Sequence, residues 1–212
     1  MKQNNRNYQK EMEKIVAGFQ GERKSLLLHS CCAPCSSAVL EKLQEIFDIT
    51  VFFYNPNITE DVEYRKRVEE QKRLIGEFSA KNSNHPIHII EGEYDPSLFY
   101  AMAKGLEQCP EGGQRCFRCF ELRLEKTAQV AKEGDYDFFT TTLTISPLKN
   151  AAKLNEIGEE MAQKYEVSFL PSDFKKKEGY KRSIELSKEY DLYRQNYCGC
   201  IYSKVESLKN KE

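Results

Sequence analysis

The sequence has no tryptophan among its 212 residues, and its apolar runs fall far short of the about 20 residues that a membrane helix needs, so we expect no transmembrane segment. Neither Gly-x-Gly-x-x-Gly nor Gly-x-x-x-x-Gly-Lys-Ser/Thr occurs, which excludes the commonest phosphate-binding loops. Neither sign of charge dominates, since 32 basic residues stand against 33 acidic ones. This balance disfavours nonspecific binding to nucleic acid without excluding a local basic patch.

Residues 1–20 carry charges throughout and lack the apolar core and cleavage site of a secretory signal. We therefore expect a cytoplasmic protein in a reducing compartment. There, the 8 cysteines indicate metal or redox chemistry rather than a disulfide framework. A hydrophobic share of 40% over this length is enough for one core. We expect a single catalytic domain over 1–212, whose part 171–212 carries a basic segment and a Cys-Gly-Cys motif.

Short buried-strand patterns alternate with helical patterns along the chain. The strand patterns lie at 25–29, 49–54, 87–90, 137–141 and 167–170, and the helical patterns lie at 7–19, from Ser36 or Ser37 onward, and at 60–81, 117–134 and 151–165. This alternation predicts an α/β fold with a Rossmann-like parallel sheet of about five strands flanked by helices. In such sheets the working site lies beyond the carboxyl ends of the strands, so we expect metal-binding loops there.

Three cysteines, Cys31, Cys32 and Cys35, follow the first predicted strand and precede a helix. The helix dipole and the backbone amides at such a position lower the pKa of a thiol and favour the thiolate that binds metal. The alternative is that one or two of them are buried small apolar residues. Burial alone does not require three.

A second cluster contains Cys109, Cys116 and Cys119. A Cys-x-x-Cys pair at the start of a helix lets Cys116 and Cys119 point at one ion. Together with Cys31 and Cys32 they would supply four thiolates, which suits either a tetrahedral zinc site or a cysteine-ligated iron–sulfur cluster. The spacing alone does not choose between these metals. Cys109 is explained as well by an ordinary loop cysteine as by a functional one.

The third cluster is the pair Cys198 and Cys200, which Gly199 separates. A glycine between two thiols permits a tight, strained ring on oxidation, and strained disulfides are the labile, redox-active ones. The alternative is a third pair of zinc ligands. Three metal or redox motifs in one small domain indicate electron transfer.

A hydroxyl-rich loop follows the fourth predicted strand and ends in a lysine. Thr142, Ser146 and Lys149 offer donors and one cation to a phosphate or a ribose. Strand propensity alone explains the threonines equally well. His29, inside the first predicted strand, is expected to be a hydrogen-bonded core residue rather than a ligand.

A basic segment at 173–182 places cations beside two aromatic residues, Phe174 and Tyr180, which suits contact with RNA phosphates and bases. A solvated surface run is the alternative. The cations are Lys175, Lys176, Lys177, Lys181 and Arg182. Further along the chain, Tyr190, Tyr193, Arg194 and Tyr197 either stack on a base or close the core.

Taken together, the motifs resemble one known family. The matching strings are His29-Ser-Cys-Cys-Ala-Pro-Cys35, Glu111-Gly-Gly-Gln-Arg-Cys-Phe-Arg-Cys119, Thr141-Thr-Leu-Thr-Ile-Ser-Pro-Leu-Lys149, Asp173-Phe-Lys-Lys-Lys-Glu-Gly-Tyr180 and Tyr193-Arg-Gln-Asn-Tyr-Cys-Gly-Cys200. In this order they resemble the QueH family, the cobalamin-independent epoxyqueuosine reductases. The resemblance implies that the protein acts on tRNA. It implies reduction of the epoxide of epoxyqueuosine in the anticodon loop to queuosine, the last step of queuosine biosynthesis.

The resemblance also implies a cofactor and site residues. It implies a [4Fe-4S] cluster with the ligands Cys31, Cys32, Cys116 and Cys119, and a redox-active disulfide between Cys198 and Cys200. As substrate-binding residues we expect Arg115, Thr142, Ser146, Lys149, Lys175, Lys176, Tyr180 and Arg194. Cys35 stands where some family members carry Asp, and we hypothesise that it ligates an accessory iron. The basic segment would hold the phosphates of the anticodon arm.

No flavin or nicotinamide fingerprint is present, so we expect the reducing equivalents from an external electron donor. Two other functions account for parts of the pattern. One is a zinc-stabilised RNA-binding module without redox activity, in which all three cysteine clusters are structural. The other is a thiol-disulfide oxidoreductase that uses Cys198 and Cys200 on protein substrates. Neither explains the full set of motifs.

Overall fold

A parallel β-sheet forms the centre of the computed structural model, which describes residues 6–209. Its strands are β1 (Lys24–His29), β2 (Phe47–Phe53), β3 (His88–Glu91), β4 (Phe138–Thr141) and β5 (Ser168–Phe169). They pair in the order β3-β2-β1-β4-β5, and every pair is parallel. The prediction of a Rossmann-like α/β sheet with helices around it is confirmed.

Helices cover both faces of the sheet. They are α1 (Tyr8–Ala17), α2 (Ala33–Leu43), α3 (Asp61–Lys81), α4 (Pro96–Ala103), α5 (Gln114–Glu133), α6 (Ala151–Tyr165), α7 (Gly179–Glu189) and α8 (Ile201–Lys209). Leu26 and Leu28 of β1 pack in a core with α1, α2, α3 and α7, whereas Leu27 packs with α5 and α6. Successive side chains of a strand point to opposite faces, so β1 is buried on both sides. Among residues 6–209, no helix has the length and apolar character needed to cross a bilayer.

The strand order reverses between β1 and β4. From β1 the chain winds outward through β2 to β3, and after α5 it returns to the other side of β1 to form β4. The loops that leave β1 and β4 therefore run apart and form the crevice in which open α/β sheets bind ligands. Cys31 and Thr142 lie there, with 3.9 Å between Cys31 Sγ and Thr142 Oγ1.

His29 ties the carboxyl ends of three strands together. Its Nε2 lies 3.1 Å from the Tyr54 carbonyl oxygen, and its Nδ1 lies 2.9 Å from Thr141 Oγ1. Because a carbonyl only accepts, Nε2 carries the proton and Nδ1 accepts from the Thr141 hydroxyl, whose oxygen accepts from the Leu143 amide at 3.1 Å. Burial, and then the charge of Arg123, lower the pKa of His29 to about 3. The expectation of a hydrogen-bonded core histidine is confirmed.

Two helices begin earlier than their patterns predict. α2 begins at Ala33 rather than at the predicted serines, because Pro34 suits the first turn of a helix. Cys35 therefore lies inside that first turn and not in a loop. α5 begins at Gln114 rather than at residue 117, so both cysteines of the Cys-x-x-Cys pair belong to the helix. The hydrophobic pattern of the sequence does not predict α4, α7 and α8.

Candidate metal and redox site

The thiols of Cys31, Cys32 and Cys35 form one compact group. Their sulfur atoms all lie within 4.8 Å of one another, and 3.7 Å separates Cys31 Sγ from Cys32 Sγ. The first two cysteines leave the end of β1, and α2 contributes the third. Thiolates are ligands for zinc, copper(I) and iron–sulfur centres. The group can therefore hold a metal.

The three thiols do not ionise equally. Hydrogen bonds with Cys32 and Cys35 lower the pKa of Cys31 well below its usual value. The contact with Cys31, together with burial, raises the pKa of Cys32 to about 12 and also raises that of Cys35. The pKa is therefore lowered at Cys31 alone, and the contacts with the other two thiols cause it, whereas at Cys32 and Cys35 sulfur–sulfur contacts and burial raise the pKa. Binding of a cation would release their protons.

A second set of cysteines lines a small, partly open void of about 20 Å³. Its members are Cys116, Cys119, Cys198 and Cys200. Cys116 also packs against the apolar cluster that contains Cys31 and Cys32, so the two sets adjoin. The Gly112 amide donates to Cys116 Sγ at 3.2 Å. Burial raises the pKa of Cys119 to about 11 and that of Cys200 to about 12, so both keep their protons at neutral pH.

Arg67 and a strained backbone turn hold the segment from Cys198 to Cys200. Arg67, on α3, is 1% exposed, pairs with Glu63 at 2.7 Å, and donates to the Cys198 carbonyl at 3.0 Å. Gly199 has a φ of +123°, and a Cβ there would lie 2.8 Å from Ile58 Cγ1. Side chains rarely tolerate such a φ. The segment therefore needs glycine between its cysteines for a reason that is independent of any disulfide.

Cys200 precedes the first turn of α8, and Ser203 fixes both cysteines of the pair. The Ser203 amide donates to Cys200 Sγ at 3.4 Å, and the Ser203 hydroxyl accepts from the Cys198 amide at 2.9 Å. The eight cysteines are free thiols. The predicted disulfide between Cys198 and Cys200 is therefore not formed in this structure.

A cavity of about 500 Å³ opens beside the two sets of thiols. Cys31, Cys35 and Cys198 are in its wall, and of the eight cysteines Cys198 alone lines both this cavity and the small void. Small-molecule sites have volumes of about 300–1,000 Å³. Cys198 is therefore placed between a space of ligand size and the other thiols.

Four of the predicted substrate-binding residues line this cavity. They are Ser146, Lys149, Tyr180 and Arg194. Burial opposes the charge of Lys149, but the thiols of Cys198, Cys31 and Cys35 outweigh it and raise the lysine pKa. The cavity therefore has a cation in its wall, on the side of the cysteines.

The other four predicted substrate-binding residues do not line the cavity. They are Arg115, Thr142, Lys175 and Lys176. Arg115 is buried and donates to the carbonyls of Leu106 and Glu107 at 3.2 and 2.9 Å, so it holds the loop before α5. Thr142 is buried in the 3-10 turn Thr142–Ile145 after β4. For these side chains, contact with a substrate stays a prediction.

Carboxylates pair with most of the basic segment at 173–182. The pairs are Lys175–Asp173, Lys177–Glu13, Lys181–Glu178 and Arg182–Glu41, at distances of 2.5 to 3.1 Å. Lys176 is exposed to solvent. A paired cation attracts phosphate less strongly than an unpaired one. The surface-run explanation thus accounts for most of the segment, and its contact with RNA stays a prediction.

Two buried arginines, Arg67 and Arg123, belong to the site although the motifs do not identify them. Both lie on the inward faces of amphipathic helices, beside Val68 on α3 and Leu124 on α5. A basic residue at an apolar position of a helix is the sequence signal that finds them. Burial opposes the charge of Arg123, but the surrounding thiols, first that of Cys119, raise its pKa.

The donors and the charges together fit an anionic group of metal-bound thiolates. Seven of the eight cysteines belong to the two adjoining sets. Nη2 of Arg123 is buried and has no hydrogen-bond partner. A buried cation of this kind is costly unless negative charge lies close to it. Thiolates bound to a metal would supply that charge.

Comparisons with known proteins show which family the chain belongs to. The family model described as epoxyqueuosine reductase QueH matches residues 26–206. An epoxyqueuosine reductase QueH of Staphylococcus epidermidis is 46% identical over 210 residues, which cover 97% of this chain and 88% of that protein. The protein of the same name from Streptococcus pyogenes serotype M1 is 45% identical over 199 residues, covering 93% and 78%. That of Thermotoga maritima is 38% identical over 185 residues, covering 86% and 91%. The chain therefore belongs to the epoxyqueuosine reductase QueH family and is an oxidoreductase.

Proposed function

We propose that this protein, as one catalytic domain, removes the epoxide oxygen of epoxyqueuosine in the anticodon loop of tRNA to give queuosine, the last step of queuosine biosynthesis. The observation that carries the proposal is the position of Cys198, which lines both the cavity and the void that holds Cys116, Cys119 and Cys200. A redox-active thiol there reaches a bound substrate on one side and the other thiols on the opposite side. The names of the relatives support the same reaction.

The residues that would hold a [4Fe-4S] cluster are Cys31, Cys32, Cys116 and Cys119. When bound, the cluster supplies single electrons. Cys35 would ligate an accessory iron, which is supported by its sulfur lying within 4.8 Å of the sulfurs of Cys31 and Cys32. Cys35→Ala should then lose that iron and keep the cluster. Full activity with unchanged iron content would contradict this assignment.

The dithiol of Cys198 and Cys200 balances the reaction. Removal of the epoxide oxygen consumes two electrons and two protons and releases water, and oxidation of a dithiol to a disulfide releases the same number of each. Burial raises the pKa of Cys200 to about 12, so this thiol brings its proton with it. An external electron donor then restores the dithiol.

The cavity suits a single nucleotide. The bases of an anticodon loop are unpaired, so one base can enter a pocket without opening a duplex. Lys149 and Arg194 provide cations for a phosphate, and Tyr180 and Tyr197 provide aromatic rings for a base. Leu148, also in the wall, is 74% exposed and offers an apolar surface to a neighbouring base.

Anaerobic purification tests the proposal, with a visible absorption spectrum and with iron, sulfide and zinc assays on the same sample. We expect brown protein with about four iron and four sulfide per chain, bleached by dithionite, that converts epoxyqueuosine in tRNA to queuosine. Colourless protein with stoichiometric zinc would contradict the proposal. It would favour the zinc-stabilised RNA-binding module instead.

Three cysteine variants test the role of the dithiol. Cys198→Ser and Cys200→Ser should each retain iron and sulfide and lose turnover. Cys109 is half-buried and lines neither the cavity nor the void, so Cys109→Ser is the matched control and should retain both. Turnover that survives in Cys198→Ser would show that the dithiol is not the reductant.

A further inference from the structure

Arg123 is a buried cation for which the protein provides no carboxylate within residues 6–209. It is 0% exposed, on α5, one helical turn after Cys119. Its Nε donates to the Cys119 carbonyl at 3.3 Å and its Nη1 to Asn55 Oδ1 at 3.4 Å, both long hydrogen bonds. Nη2 has no partner. An arginine keeps its charge in proteins, so this side chain brings an uncompensated positive charge into the interior.

The other buried arginines do not share this feature. Arg67 forms an ion pair with Glu63 at 2.7 Å. Arg115 lies 3.9 Å from a carboxylate oxygen of Glu206, besides its bonds to backbone carbonyls. Arg123 is therefore the exception among the three arginines that are at most 2% exposed.

The buried groups near Arg123 that can become negative are thiols, because the one carboxylate at the same void, that of Glu111, belongs to an exposed residue and accepts from the Ser203 hydroxyl at 3.2 Å. Arg123 lines the small void together with Cys116, Cys119, Cys198 and Cys200. The side-chain amide of Asn55 and the ring of Phe120 also contact Arg123, and both are neutral. The centroid of the Phe120 ring lies 5.8 Å from the guanidinium carbon. Since Glu111 forms no ion pair with Arg123 within residues 6–209, the buried counter-charge for this cation comes from those thiols when they are ionised.

We propose that Arg123 is the internal counter-charge of the thiolate-bound cluster and raises its reduction potential. The proposal rests on the proposed [4Fe-4S] function. Reduction adds one negative charge to the cluster, and a fixed positive charge in a low-dielectric interior favours the more negative form. Arg123 is thus a positioning and charge-setting residue, and it does not touch the substrate.

The test is a redox titration of the anaerobic, iron-loaded protein, followed by visible absorption and electron paramagnetic resonance. Arg123→Gln should shift the midpoint potential to a more negative value. We expect at least a tenfold fall in the ratio of reduced to oxidised cluster at a fixed potential, which for one electron is about 59 mV. Arg123→Lys keeps the charge and should stay near the wild-type potential.

Arg118→Gln is the matched control. Arg118 lies on the same helix beside Cys119, but its side chain is 53% exposed and is paired with Glu121. Solvent screens a charge in that position, so the potential should not change. If Arg123→Gln holds iron and sulfide as the wild type does and has the same potential, the inference is wrong. An equal shift in Arg118→Gln would also overturn it.

Asn55→Asp tests the same charge without creating a void. It places a carboxylate where Asn55 Oδ1 now lies, 3.4 Å from Arg123 Nη1, and should shift the potential in the same negative direction. This variant decides the question if Arg123→Gln does not fold. A wild-type protein that never takes up iron and sulfide would refute the proposed cluster. A loaded wild type with equal potentials in all variants would refute the role of Arg123 alone.

Discussion

Replacing Arg67 by methionine should destabilise the protein by about 3 kcal/mol. Removal of one partner of a buried ion pair costs about 3–5 kcal/mol, because the other charge stays buried without compensation. Glu63 is that other charge, and its side chain is 11% exposed. Its carboxylate still accepts a hydrogen bond from the Tyr193 hydroxyl at 3.0 Å, so we expect a loss of stability at the lower end of this range. The Cys198 carbonyl loses its donor in the same variant.

Urea unfolding of the reduced protein measures this cost. With a slope near the upper end of the usual range, a loss of about 3 kcal/mol lowers the midpoint by about 1 M. Arg65→Met is the control, because Arg65 has the same i,i+4 spacing to Asp61 but is 73% exposed. It should cost less than about 0.5 kcal/mol.

A second substitution distinguishes the ion pair from the lost volume of Arg67. Adding Glu63→Leu to Arg67→Met removes the stranded carboxylate, so the double variant should recover to within about 1 kcal/mol of the wild type. If the single variant costs less than about 1 kcal/mol, or if the two substitutions are simply additive, the buried charge is not what holds this segment.

Three further predictions concern single positions. The amide and the hydroxyl of Ser25 donate to the Asp137 carboxylate and lower its pKa, so Asp137→Asn should cost about 1 kcal/mol of stability at pH 7. The wild type should lose this stability as the pH falls from the unfolded pKa of about 3.9 through the lowered pKa, and the variant should not. Unfolding measured across this acid range checks the prediction. Gly199→Ala should lower turnover and retain iron, because φ is +123° and the new Cβ would clash with the side chain of Ile58. Gly105→Ala, at φ +82° with open space around it, should reduce stability alone. Equal turnover in the two variants would contradict this. Gly76→Ala, exposed on α3 with nothing near its Cβ, should raise the melting temperature, since alanine favours a helix by about 1 kcal/mol over glycine.

Local pattern was enough to predict the sheet and the position of the first cysteine loop. The strand around Leu27 is apolar on both faces, as a central parallel strand must be, and the cysteines that follow it therefore had to lie at the carboxyl edge. α4 carries the signal Asp95 then Pro96, a helix cap followed by a first-turn proline, which hydrophobic periodicity does not capture. α8 begins at Ile201, directly after Cys200, and the Cys-Gly-Cys motif before it does not indicate the start of a helix.

The site residues that were missed depend on contacts between distant segments. Arg67 reaches the Cys198 carbonyl across more than half of the chain, and no local pattern encodes that partner. Conversely, Arg115 lies in a conspicuous motif, and the structure shows it donating to carbonyls of its own loop. Similarly, the charge of Arg182 meets Glu41 of α2. The sequence therefore shows which side chains are charged, but it does not show which of them are available to bind a ligand.

The cysteines of the two adjoining sets come from three segments that are far apart along the chain, at 31–35, 116–119 and 198–200. Any metal shared between Cys32 and Cys116 would close a chain loop of roughly 80 residues, and in the chain-entropy model a covalent link across such a loop is worth about 4.5 kcal/mol. The metal and its cysteine ligands would thus act as a reversible cross-link that restricts the conformations of the unfolded chain. Loss of the metal would then release the first strand loop from α5 and weaken the fold together with the site.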